Sequence, residues 1–243
     1  MLPRSLGIVP PPPYNQLEPV QHGAAWVRVL STGLLNENCV LVTDAPSGGC
    51  GFLVDPGSDA AQILRMLDSS GAEVQALLLT HGHFDHIGAV QEVREALKVP
   101  VYLHPLDGAI YAGSADLAGL LGAADFQQPA PPDAPLRQGQ VLTAGGLTLT
   151  VRELPGHTPG HVVYRGDGFV LSGDTLFPGA LAPTNLPGGD RPQLIAGILR
   201  ELLSLPPDTR LYPGHGRPLS VADGRANPLF RRRLAAQAGT LPT

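Results

Sequence analysis

Thr80-His81-Gly82-His83-Phe84-Asp85-His86 gathers three of the chain's eight histidines and an aspartate into one short stretch. It follows Val74–Leu79, a brief, mostly apolar run of the kind that forms a buried strand. The stretch therefore occupies a loop at a strand's end, where functional side chains collect. Where the backbone is extended, His81 and His83 project to the same side. Asp85 and His86 lie past the bend and face the same cavity from another direction. Imidazoles held beside a carboxylate suit a borderline cation such as zinc.

Further candidate ligands end or follow other strand-like runs. His157 lies in Gly156-His157-Thr158-Pro159-Gly160-His161, Asp174 in Leu171-Ser172-Gly173-Asp174-Thr175, and His215 in Tyr212-Pro213-Gly214-His215-Gly216. Each has Gly or Pro nearby, as a sharp backbone turn that presents one side chain requires. One histidine in a turn is ordinarily a polar loop residue, but the ordered set points to metal. His161 reads as structural, and His22 and His104 as ordinary polar residues.

Outward from the histidine stretch, strands are expected at Trp26–Leu30, Asn38–Thr43, Phe52–Val54 and Val99–Leu103, with helices at Asp59–Asp68 and Ile87–Leu97. Residues 105–122 read as helical, broken at Gly113, and 124–139 as a Pro-rich loop. The second half repeats this outline. Strands fall near Val141 and at Leu147–Leu154, His161–Tyr164, Phe169–Leu171 and Arg210–Tyr212, with a helix over Pro192–Leu203. Asn227 is placed to cap a short terminal helix carrying Arg231–Arg233. Two groups of strands, each followed by helices, imply two sheets with helices outside. Residues 1–22, with the Pro10–Pro13 run, read as an extended tail, and 23–243 as one domain.

Composition narrows the function. The 243 residues are 43% hydrophobic and only 15% charged, with a formal net charge of -5. Coating of nucleic acid is disfavoured, since such proteins usually carry a basic excess on one face. The 26 prolines and 30 glycines are nearly double the usual share and disfavour a helical bundle. No apolar run reaches the roughly 18 residues that span a membrane, and the N-terminal stretch lacks a signal peptide's apolar core. Cys39 and Cys50 are too few for a disulfide framework and read as small buried residues. A cytoplasmic location with reduced thiols is expected.

The ordered motif set resembles the metallo-β-lactamase-fold superfamily and, within it, the glyoxalase II-like (hydroxyacylglutathione hydrolase-like) hydrolases, over roughly residues 26–236. The resemblance implies an αββα sandwich with two divalent ions between the sheet edges, zinc in preference to iron or manganese. It assigns His81, His83 and His157 to one ion, Asp85, His86 and His215 to the second, and Asp174 to both. Asp55, in Val54-Asp55-Pro56-Gly57, matches a carboxylate that supports the metal loop. Local sequence alone allows a simple turn there equally well. The β-lactamases themselves usually lack His86 and the bridging acid, which disfavours a drug-hydrolysing enzyme.

Two such ions ionise a bridging water near neutral pH and stabilise an oxyanion, so no Ser or Cys nucleophile is needed. Asp85 is placed to orient that hydroxide. Lactonases with the same pattern commonly carry a Tyr three residues after the bridging Asp; here Phe177 has no proton to give. A thiolate leaves unassisted, so a small thioester is the expected substrate. The chain lacks the longer basic C-terminal region with which full-length glyoxalase II enzymes grip glutathione. Pro183 and Asn185 stand where compact relatives often carry Arg and Asp, and Phe177 and Asn185 are the candidate pocket residues. The alternatives are a mononuclear iron sulfur dioxygenase and a lactonase.

Overall fold

The computed structural model describes residues 10–230. The first sheet is built from β1 (Gln16–His22), β2 (Ala25–Thr32), β3 (Glu37–Thr43), β4 (Cys50–Val54), β5 (Glu73–Leu78), β6 (Val101–Leu103) and β7 (Ala134–Pro135), in that spatial order. Pairing is antiparallel as far as β4 and parallel beyond it. The connections carry α1 (Ala60–Ser70), α2 (Phe84–Ile87), α3 (Val90–Leu97), α4 (Gly108–Ala112) and α5 (Ser114–Leu121).

The second sheet uses β8 (Val141–Ala144), β9 (Leu147–Glu153), β10 (Val162–Arg165) and β11 (Phe169–Gly173). After a small hairpin of β12 (Leu176–Phe177) and β13 (Ala180–Leu181) come α6 (Arg191–Gly197), β14 (Arg210–Pro213), β15 (Leu219–Ser220) and α7 (Val221–Ala226). Its spatial order is β15-β14-β11-β10-β9-β8.

Alternation along the strands builds the layers. Val40, Val42, Phe52 and Val54 face Leu149, Val151, Val162 and Tyr164 in the core between the sheets. The intervening Cys39, Leu41 and Leu53 pack with Ile63 and Met66 of α1 and Val90 and Val93 of α3. Val163, Val170 and Leu211 pack with Leu194, Ile198 and Val221 on the other outer face. The fold is thus the expected αββα sandwich. Among the described residues no helix is long and apolar enough to cross a membrane.

Several expectations need correcting. Residues 16–22 are not tail but strand β1, paired with β2. The expected helix over Ile87–Leu97 is two helices, α2 and α3, separated at Gly88 and Ala89. The Pro192–Leu203 helix changes to a π turn over Ile198–Leu202. The helix expected over Asp59–Asp68 is α1, Ala60–Ser70, and Asp59 lies just before it with its Oδ2 accepting from the Gly33 amide at 2.8 Å. Asn227 closes α7 and also opens the expected next helical stretch over residues 228–230, its Oδ1 accepting from the Leu229 amide at 3.0 Å, while Arg231–Arg233 lie outside the described residues. Cys39 is buried as expected, but Cys50 is only half-buried.

Candidate metal centre

Strand direction brings the candidate ligands together. β4 and β5 run parallel, so Asp55 and the loop Thr80–His86 leave the first sheet at one end. In the second sheet β9 and β11 run the same way, because β10 is antiparallel to both, and β14 is parallel to β11. His157, Asp174 and His215 therefore leave at a common end.

Their donor atoms form overlapping groups: His81, His83 and His157; His81, His86 and Asp174; and Asp85, His86 and His215. His157 Nε2 lies 2.9 Å from His83 Nδ1 and 3.4 Å from Asp174 Oδ2. His215 Nε2 lies 3.3 Å from Asp85 Oδ2 and 3.6 Å from Asp174 Oδ1, and His86 Nε2 lies 3.4 Å from Asp174 Oδ1. Two donors bound at about 2.0–2.1 Å to one tetrahedral ion sit roughly 3.3–3.4 Å apart, so the spacing suits a cation.

The outer hydrogen bonds set which nitrogen of each ring points inward. His86 Nδ1 donates to Asp55 Oδ2 at 3.0 Å, His157 Nδ1 to the Pro183 carbonyl at 2.7 Å, and His215 Nδ1 to the Leu35 carbonyl at 3.1 Å. The Thr80 hydroxyl donates to Asp55 Oδ2 at 2.6 Å and so accepts from His81 Nδ1 at 3.0 Å. Each of these rings is left with Nε2 facing the cluster, as a partner on the far nitrogen does in metal sites. His81 Nε2, His86 Nε2 and Asp174 Oδ1 are buried with no hydrogen-bond partner. Orphaned buried acceptors are costly, and a divalent ion satisfies all three.

Charge tells the same story. Burial lowers His81 well below 6.5, helped by His86 and His83, and lowers His83 to about 3, helped by His157. Burial would also lower His86 and His215, but Asp174 and Asp85 outweigh it and raise both. Burial would raise Asp85, yet His86 and His215 hold it at about 2, and the same two rings keep Asp174 well below 3.8. The carboxylates thus demand positive charge, which His86 and His215 carry when no metal does.

Asp55 is no simple turn residue: besides His86 and the Thr80 hydroxyl, its Oδ1 accepts from the Thr80 amide at 2.7 Å. His161 accepts from the Asp174 amide at 3.0 Å and stays outside the donor groups. His104 pairs with Glu153 at 3.2 Å and His22 with the Tyr212 hydroxyl at 2.7 Å, both away from the cluster. The Phe177 ring sits 5.7 Å from that of His215, edge-on. Asn185 is exposed and is not drawn into the cluster.

Sequence reading missed Asn38 and Glu37. Asn38 Nδ2 donates to the Pro213 and Gly216 carbonyls at 2.9 and 2.7 Å, stapling the His215 loop to β3. Glu37 is fully buried, accepts from the Thr32 hydroxyl at 3.0 Å and lies 3.8 Å from His86 Nδ1. The available signal was an acid and an amide heading an otherwise apolar strand. Gly214 is required by close approach, since a Cβ there would fall on Asp174 Oδ1.

A family model described as the metallo-beta-lactamase superfamily matches residues 32–215. The chain belongs to the metallo-β-lactamase superfamily. TTHA1623, crystallised in a di-iron-bound form, is 42% identical, with 83% of this chain and 98% of that one covered and a TM-score of 0.74. The BLEG-1 B3 metallo-β-lactamase is 32% identical, with 84% and 99% covered and a TM-score of 0.78. The hydroxyacylglutathione hydrolase GloC of Haemophilus influenzae is 27% identical, with 85% and 99% covered. Superfamily membership and the donor groups together support a metal-dependent hydrolase with a candidate two-metal centre.

Proposed function

We propose that the protein hydrolyses small acyl thioesters in the manner of the glyoxalase II-like branch. His81, His83 and His157 would hold one divalent ion, Asp85, His86 and His215 a second, and Asp174 would contact both. The observation that carries this reading is the convergence of Nε2 atoms from His81, His86, His157 and His215, each ring fixed by a partner on Nδ1. Zinc fits the mixed imidazole and carboxylate set, and iron or manganese are alternatives; the di-iron form of TTHA1623 supports the iron alternative.

When bound, the ions supply a hydroxide nucleophile at neutral pH and positive charge for the oxyanion. The chain's own groups do the rest. Asp85, whose carboxyl stays ionised far below neutrality, would accept a hydrogen bond from the attacking oxygen and orient it. Asp55 and Thr80 hold His81 and His86 in place. Phe177, edge-on to His215, would line the pocket and has no proton to give, so a leaving group that departs as an anion is favoured. A thiolate meets that condition at neutral pH, and an alkoxide does not. The hydroxyacylglutathione hydrolase activity in the name of the GloC relative agrees with it. The setting proposed is the cytoplasm, with a free small-molecule substrate and neither nucleic acid nor membrane as partner.

The test is a panel: a glutathione thioester of a 2-hydroxy acid, its truncated cysteamine analogue, a lactone of similar acyl size, and a β-lactam, included because BLEG-1 is a B3 β-lactamase. Both thioesters should be cleaved, with weak dependence on the thiol's peptide portion, since Pro183 and Asn185 replace charged contacts. A hundredfold preference for the glutathione ester, about 2.7 kcal/mol, would reveal a thiol-binding site that this reading omits. Faster turnover of the lactone or the β-lactam would replace it.

A further inference from the structure

Asp107 ends a single 3₁₀ turn, Pro105–Asp107, that follows β6. Its side chain is fully buried, and among the described residues no Arg or Lys pairs with it. Instead, one carboxylate accepts from two loops that arise on different sheets. Oδ2 accepts from the Gly82 amide at 3.0 Å and from the Thr158 hydroxyl at 2.7 Å; Oδ1 accepts from the Gly160 amide at 2.6 Å.

The placement of these donors gives the carboxylate its leverage. Gly82 lies between His81 and His83, Thr158 follows His157, and Gly160 precedes His161. The Gly82 peptide is pinned on its other side as well, because its carbonyl accepts from the Ser114 hydroxyl at 2.6 Å. Rotating that peptide would swing His81 and His83 together. Gly160 approaches so closely that a Cβ there would come within 2.7 Å of the Asp107 amide and of its Oδ1. A buried carboxylate takes this many hydrogen bonds only where the fold supplies the donors around it.

We propose that Asp107 is a positioning residue that locks the loops of His81, His83 and His157 in the register at which their donor nitrogens meet. The proposal rests on the reading of those histidines as one half of a two-ion centre. Asp107 touches neither the ions nor the substrate, so its effect is confined to the half whose loops it joins. The Asp85, His86 and His215 half is held independently, by Asp55 and by Asn38.

Asp107→Asn keeps the shape but turns an amide N–H toward a backbone N–H that needs an acceptor. Zinc binding is measured by competition with a chromophoric chelator for the wild type, Asp107→Asn, His157→Ala and the double variant, with far-UV circular dichroism as the check on folding. The wild type should bind two ions and His157→Ala one, which tests the underlying reading by itself. Asp107→Asn should weaken one of the two ions by roughly 10–100-fold, the range for a partner that orients a ligand. The double variant should bind its remaining ion as His157→Ala does, because the half that Asp107 serves is already lost. If the wild type and His157→Ala behave as stated but Asp107→Asn binds both ions unchanged, or weakens both alike, the positioning role is wrong and the ligand reading survives. Should Asp107→Asn fail to fold, Thr158→Val, which removes one donor, decides: it should weaken the same ion by a smaller factor, and unchanged binding overturns the proposal.

Discussion

Asp55→Asn separates the support of the centre from the fold more cleanly than removal of any ligand. Asp55 is buried, with a left-handed backbone at φ 49°, and it accepts from the Thr80 amide at 2.7 Å, the Thr80 hydroxyl at 2.6 Å and His86 Nδ1 at 3.0 Å. Alanine would strand the Thr80 amide and His86 Nδ1, each at about 1–3 kcal/mol, and would add a left-handed strain of about 1–2 kcal/mol. That total, roughly 3–8 kcal/mol, rivals the whole stability of a typical domain. Asparagine tolerates the left-handed backbone, and its carbonyl still accepts from the Thr80 amide. It turns an N–H toward His86, so the ring can answer only by making Nδ1 the acceptor and placing the proton on Nε2, the nitrogen that should face the metal. The expected loss is the two charge-assisted bonds to Oδ2, from His86 Nδ1 and the Thr80 hydroxyl, together about 3–6 kcal/mol in urea unfolding of the metal-free protein, with a roughly 10–100-fold loss of affinity for the ion that His86 would hold in chelator competition. A variant that loses stability by this amount yet binds both ions like the wild type would refute the inference that Asp55 sets the His86 tautomer.

Other substitutions test particular roles. His157→Ala should lose one ion on metal analysis, whereas His104→Ala, whose ring pairs with Glu153 outside the cluster, should keep both; equal effects would undo the ligand set. Asp85→Ala should remove nearly all turnover in a thioester assay. Phe84→Leu should keep much of it and cost well under the 3–5 kcal/mol of Phe→Ala, because the Phe84 ring packs with Ala118, Leu121 and Phe126 and offers no polar atom. Away from the site, Glu201 accepts from Arg152 Nε at 2.8 Å and Arg200 Nε at 2.7 Å, contacts that outweigh burial and hold its carboxyl below 4.5. Its contribution is therefore complete above pH 4.5 and lost as pH falls through the folded value. Glu201→Gln should shrink the drop in urea midpoint between pH 7 and pH 3 by an amount worth less than about 1 kcal/mol, as both arginines are partly exposed. An unchanged drop would show that the triad contributes nothing.

The histidine stretch was legible because its chemistry is local: a buried strand, a turn, and imidazoles at short spacing. His157, Asp174 and His215 were legible for a related reason, as each follows a strand and stands near Gly or Pro. Strand β1 was not, since Gln16, Glu18, Pro19 and Gln21 interrupt any apolar alternation and Leu17 and Val20 stay exposed. Such a composition suits an edge strand, whose outer side needs no core. Helix α7 carried a readable signal, the Ser220 and Asp223 capping box, which was overlooked. Asp107 and Asn38 had little to betray them. Asp107 reaches across 25 to 53 residues and Asn38 across 175 to 178, and no local pattern encodes contacts of that range.

Stoichiometric reconstitution tests the central claim most directly. Metal-free protein is titrated with zinc while hydrolysis of the cysteamine thioester is followed, and bound metal is counted at each point. The account predicts turnover that rises to a plateau as the second equivalent binds. A plateau at one equivalent with no second ion taken up, or two ions bound with no thioester cleaved, would contradict it; iron-dependent oxygen uptake at a single site would establish the dioxygenase in its place.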